Sequence, residues 1–171
     1  MSEHMILMQP GLVRQTYAGV KTETRRLNLR WIKAQAGDIL LVRETWATSP
    51  EFDAVKPSEL PGDAPIIYRA AYPEILENPS GVSRWRPSIF LPKRFVRLRL
   101  RMVEDARREP LHAITEDGAK REGATNAHYS GPVTGYRTGF ERLWCDINGR
   151  ESWEANPDVI VLPYKLEGSD G

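Results

Sequence analysis

The stretch Gly19-Val20-Lys21-Thr22-Glu23-Thr24-Arg25-Arg26 brings an amine, two hydroxyls, a carboxylate and two guanidiniums close together in the chain. A threonine hydroxyl is a weak nucleophile until a base takes its proton. Lysine is such a base only when neutral, so burial or nearby positive charge must lower its proton affinity. Arg25 and Arg26 are the local cations suited to that task. A glutamate held protonated would then supply the leaving amine with a proton. Base, nucleophile and acid together would hydrolyse an amide. The same string also reads as a solvated charged strand or a phosphate-contacting patch. Lys21 and Thr24 would face opposite sides of a flat strand, so a shared site requires a bend after Gly19.

Other residues invite similar scrutiny. Glu44, beside Trp46, suits a hydrogen bond to a base edge, a hold on Lys21, or an ion pair with Arg25, Arg26 or Arg43. Trp46, Tyr68 and Trp85 offer ring faces for a nucleobase, or for the core. Arg84 and Arg86 flank Trp85, which makes either a nucleotide surface or an anchored loop. Arg97, Arg99 and Arg101 form a stripe that reads more readily as a solvated face, paired with acids such as Glu104 and Asp105, than as a phosphate track. His112 and His128 lack ligand spacing, so neither a metal site nor a cofactor is expected. Cys145 reads as structural.

These residues need elements to position them. Residues 10–18 read as a short helix starting at Pro10, with Gly19 in the left-handed position past its end. Ile39-Leu40-Leu41-Val42 is an apolar run of strand length, continuing towards Trp46. Residues 66–70 read as a strand. Over 95–103, Val96, Leu98, Leu100 and Met102 alternate with three arginines, the pattern of a half-buried strand. Thr115 is placed to cap a helix that Gly123 ends. Thr138 and Glu141 have capping-box spacing for a second helix, with Phe140, Leu143, Trp144 and Ile147 on its buried face and Gly149 at its end. Val159 to Leu162 forms the last strand. Strands and helices do not alternate regularly, so an α+β fold with a small, partly closed mixed barrel fits better than a doubly wound sheet.

With 171 residues, 27% charged and 40% hydrophobic, the chain suits one globular core. A net charge of +1 gives no global pull towards nucleic acid. The single cysteine excludes an internal disulfide framework and a four-cysteine zinc site. No apolar run is long enough to cross a bilayer, and the start lacks a secretory pattern, so a cytoplasmic home is the expectation. Met5 is an alternative start.

The string Gly19-x-Lys21-Thr22-x-Thr24-x-Arg26, followed by Gly37-Asp38 and a hydrophobic strand, resembles the ASCH family. Val42-Arg43-Glu44-Thr45-Trp46, Trp85-Arg86-Pro87-Ser88-Ile89-Phe90-Leu91-Pro92 and Ser152-Trp153-Glu154-Ala155-Asn156-Pro157 look like the phage- or prophage-borne branch. The resemblance implies a PUA-like barrel with short flanking helices: a first strand within 1–9, one domain over 10–167 with insertions at 47–65, 71–88 and 124–137, and a tail at 168–171. It also implies kinship with bacterial N4-acetylcytidine amidohydrolases. On that basis Lys21 is the expected proton acceptor, Thr24 the nucleophile and Glu122 the general acid. Arg26, Glu44, Trp46, Tyr68, Trp85 and Arg86 are the expected substrate-binding residues. Two alternatives stay open: a non-catalytic module binding RNA or a modified base, and a ribonuclease. The expected partner is a small nucleoside or RNA, with no metal and no membrane; the oligomeric state is left open.

Overall fold

The computed structural model describes residues 1–72, 79–128 and 134–168. The expected insertions at 71–88 and 124–137 and the tail therefore lie partly outside the described residues, at 73–78, 129–133 and 169–171. In chain order the described elements are β1 (Glu3–Leu7), α1 (Pro10–Tyr17), β2 (Glu23–Arg26), β3 (Ile39–Arg43), β4 (Trp46–Thr48), β5 (Ile66–Tyr68), β6 (Leu98–Met102), β7 (Arg107–Pro110), α2 (Glu116–Arg121), β8 (Ala127–His128), β9 (Thr134–Gly135), α3 (Tyr136–Asn148), α4 (Arg150–Glu154) and β10 (Asp158–Leu166). The fold is α+β with mixed strand pairing: β1 lies parallel to β3, while β2 and β7 lie antiparallel to β10.

Two compact units can be distinguished. One comprises Glu3–Arg14 and Ile39–Leu100; the other comprises Met1–Ser2, Gln15–Asp38 and the chain from Arg101 onward. In the former, Met5 sits opposite Leu41 in the β1–β3 pair, and Ile39, Leu40, Leu41 and Val42 are all buried. That explains the uninterrupted apolar run, since a strand covered on both faces has no polar side. β4 pairs antiparallel with β5, placing Trp46 opposite Tyr68. Residues 47–65, expected as a surface loop, instead begin in β4, continue through two 3₁₀ turns, and send Leu60 and Ala64 into a cluster with Trp46, Leu91 and Phe95. The strand expected over 95–103 is shorter, because Lys93–Phe95 turn in a 3₁₀ helix first.

In the other unit, α3 buries Phe140 and Trp144 against Leu111, Ile114, Ala119, Trp153 and Val159. Ile147, expected on that face, is 43% exposed. Thr115 caps α2 as expected, its hydroxyl accepting the Gly118 N–H at 3.0 Å. The Thr138/Glu141 capping box does not form, since α3 already begins at Tyr136. Its cap comes from a distant residue. Glu116 accepts the backbone N–H groups of Tyr136 and Arg137 at 2.9 and 3.1 Å, putting a carboxylate on the positive end of the helix.

Gly139 lies against backbone: a Cβ there would fall 1.8 Å from the Thr125 carbonyl oxygen. Gly139→Ala is expected to destabilise this unit by about 1–3 kcal/mol, the usual cost of overpacking, and thermal unfolding checks it. An unchanged midpoint would mean that the Thr125 segment yields freely.

Candidate functional site

Lys21 is placed by the turn that leaves α1. Gly19 is left-handed, with φ +74°, and the N–H groups of Val20 and Lys21 both donate to the Gln15 carbonyl at 3.0 Å. The segment is then fixed from two sides: the Thr22 N–H donates to the Arg121 carbonyl at 2.7 Å, and the Tyr164 N–H to the Thr22 carbonyl at 2.8 Å. Lys21 thus precedes β2 instead of lying in it, which removes the strand-parity conflict with Thr24. At the end of α2, Gly123 adopts φ +82°, and a Cβ at that position would sit 3.2 Å from the Lys21 Cβ. The close approach of residue 123 to Lys21 therefore favours glycine twice over.

Lys21 is 1% exposed and Glu122 4% exposed. The ammonium donates to the Glu122 carboxylate at 2.6 Å, to the Glu23 carbonyl at 2.8 Å and to the Glu122 carbonyl at 3.0 Å. All three hydrogens are used, and none goes to Thr24. Thr24, 4% exposed, sits in β2 opposite Leu162 of β10. Burial lowers the proton affinity of Lys21; Glu122 opposes this, while Arg26 and Arg25 add to the lowering.

Arg25 links the pair to a wider network. Its Nη1 donates to Glu23 at 2.7 Å and to the second carboxylate oxygen of Glu122 at 3.3 Å, and its Nη2 donates to Glu109 at 2.8 Å. The other oxygen of Glu23 accepts from Arg121 at 2.9 Å. Burial alone would raise the Glu23 carboxyl, but Arg121 and Arg25 outweigh it and hold the group below the ordinary glutamate value. Burial likewise works against the charge on Arg25, yet Glu122 and Glu23 raise its proton affinity. Tyr164 is pushed upward by burial, its hydroxyl 3.1 Å from that of Thr16. Burial lowers Arg26, against the pull of Glu122. A cleft of about 450 Å³ opens at Thr22, Glu23, Arg107, Arg121, Pro163 and Tyr164; Lys21, Thr24 and Glu122 are not among its lining residues.

The structure thus brings Lys21 and Glu122 into direct contact, with Arg26 close enough to act on both. Glu23 and Glu109 were not singled out from sequence as members of this site. The one available signal was the i, i+2 spacing of Glu23 and Arg25, which puts both on one face of β2. The other expected residues lie in the unit that contains β3 to β5. Glu44 is fully buried and accepts a two-pronged ion pair from Arg97 at 2.8 and 3.0 Å; its partner is none of the arginines expected from sequence. The Arg97 guanidinium also lies 4.1 Å from the centre of the Tyr68 ring, whose hydroxyl donates to the Phe95 carbonyl. Trp46 is fully buried, leaving no indole face open for stacking. Trp85 packs 6.0 Å from Tyr72 and 5.2 Å from the Arg69 guanidinium. Arg86 is buried, not a surface flank of Trp85. The arginine stripe is paired with acids remote in sequence, not with Glu104 and Asp105: Arg97 with Glu44, Arg99 with Glu3 at 3.1 Å and Arg101 with Glu167 at 3.1 Å.

Among the described residues no cluster of His, Cys, Asp or Glu could hold a metal ion, and no helix is long and apolar enough to cross a membrane. No family model matches the chain, and neither does any curated protein or solved structure.

Removing one member of a buried ion pair strands the other charge. Glu122→Gln is expected to cost about 3–5 kcal/mol in urea unfolding, and the Lys21→Met/Glu122→Gln double variant distinctly less. Equal losses would show that the pair is not coupled. Glu23, lowered in the folded state, contributes stability that is complete above the ordinary glutamate range and is lost as pH falls through its folded value. Glu23→Gln should therefore flatten the acid limb of the stability–pH curve, read from unfolding midpoints in a pH series.

Proposed function

We propose that the chain is a PUA-like protein of the ASCH type, acting as an amidohydrolase that removes an N4-acyl group from cytidine or a related modified nucleoside. The observation that carries this reading is the buried 2.6 Å contact between the Lys21 ammonium and the Glu122 carboxylate. Moving one proton across that contact yields a neutral amine and a protonated carboxyl, the two forms the reaction needs. The neutral Lys21 amine takes the Thr24 proton as the hydroxyl oxygen attacks the acyl carbonyl. The carbon–nitrogen bond breaks, Glu122 gives its proton to the departing amine, and the acyl group rests on Thr24. Water then attacks the ester, releases the acid and restores Thr24. Substrate entry must loosen the packing around Lys21, because that side chain is closed to solvent. The alternative of RNA binding along Arg97, Arg99 and Arg101 draws less support, since all three are engaged by carboxylates.

Thr24 lies outside the ion pair, so its substitution tests chemistry with little disturbance of charge. With N4-acetylcytidine followed by absorbance, Thr24→Val should lower turnover about a hundredfold or more, and Thr24→Ser should retain a substantial part. Absence of turnover in the unaltered protein, or full turnover in Thr24→Val, would remove this reading.

A further inference from the structure

In the unit that contains β3 to β5, Arg86 is a buried cation with no ion pair among the described residues. It is 5% exposed, and among the described residues its guanidinium meets only neutral acceptors. Nη1 donates to the Val55 carbonyl at 3.0 Å; Nη2 donates to the carbonyls of Phe52 and Asp53 at 2.9 and 3.1 Å. Nε is shut off from solvent and has no hydrogen-bond partner. One side of the guanidinium faces the Trp46 ring, 4.9 Å from its centre. The Asp53 carboxylate, the one described acid that acts on Arg86, is instead paired with Arg84 at 3.3 Å. Carbonyl dipoles and an indole face ease the burial of a charge but do not neutralise it.

Arg86 lines a pocket of about 330 Å³ together with Lys56, Arg84, Trp85, Pro87 and Phe90. The lining holds three cations and no acid. The Lys56 side chain makes no ion pair among the described residues, and Phe90 is 58% exposed. Such a volume suits a small ligand, and a concave site of mixed aromatic and cationic lining selects by charge as well as shape. The positive field asks for an anion; the exposed ring and prolines ask for a flat apolar body.

We propose that this pocket binds a small organic anion, a phosphate or carboxylate head group carried on an aromatic ring. The head group is held by Lys56 and Arg84, over the uncompensated charge of Arg86, and the ring lies against Phe90 and Pro87. The inference is independent of amide hydrolysis at Lys21, Thr24 and Glu122, and either can fail alone.

The test uses the full chain and tryptophan fluorescence, because Trp85 lines the pocket. Phenyl phosphate and benzoate are the charged aromatic probes; uncharged benzamide is the control. A saturable change is expected with at least one charged probe, weakening as salt rises and absent with benzamide. The stronger probe identifies the head group. In Lys56→Ala/Arg84→Ala, which alters exposed side chains and should fold normally, affinity is expected to fall about tenfold or more, while Thr24→Val binds as the unaltered protein does. No saturation with either charged probe would overturn the proposal. So would unchanged affinity in the double variant.

Discussion

A lysine ammonium can stay charged away from water only if oxygen meets each of its hydrogens, and the unit around Lys21 is organised by that requirement. Two of the three acceptors come from Glu122, one from its side chain and one from its backbone. The third is the Glu23 carbonyl at the start of β2. The end of α2 must therefore approach the turn before β2 closely. The backbone bond from Thr22 to Arg121 and the absence of a side chain at Gly123 make that approach possible. One carboxylate oxygen of Glu122 is taken by Lys21 and the other by Arg25, so the group is held at both ends.

Buried charge networks are weak contributors to stability, because desolvation consumes much of the Coulombic gain. The arrangement here is correspondingly dense in secondary contacts. Arg25 spans three glutamates, and Glu23 is shared between Arg25 and Arg121. Burial lowers the proton affinity of Lys21 while adjacent Glu122 supports it. The Lys21 ammonium and the Glu122 carboxylate meet in direct contact, and both are almost closed to solvent.

The other unit treats its charged and aromatic residues differently. Glu44, Trp46 and Tyr68 are consumed in packing and in the pairing with Arg97. Arg86 is positioned by carbonyls and an indole ring, so its position is fixed while no described carboxylate pairs with its charge. Both units bury cations. Among the described residues, only the Lys21 network surrounds them with carboxylates.

Local pattern determined a good deal of this protein. The apolar run at 39–42, the alternation through Leu98, Leu100 and Met102, the Pro10 start of α1 and the Thr115 cap each follow from interactions within a few residues, where spacing along the chain is spacing in space. The turn at Gly19 and the prominence of Lys21 were legible for the same reason. Tertiary structure alone decided the partners: Glu116 for the start of α3, Glu122 for Lys21, Glu3, Glu44 and Glu167 for the arginines of β6 and its approach. A charge leaves no trace in the sequence of which opposite charge it will meet. Contact is set by how strands and turns remote in the chain are brought together, and on that meeting depends whether Lys21 is a solvated surface cation or a buried one paired with a carboxylate.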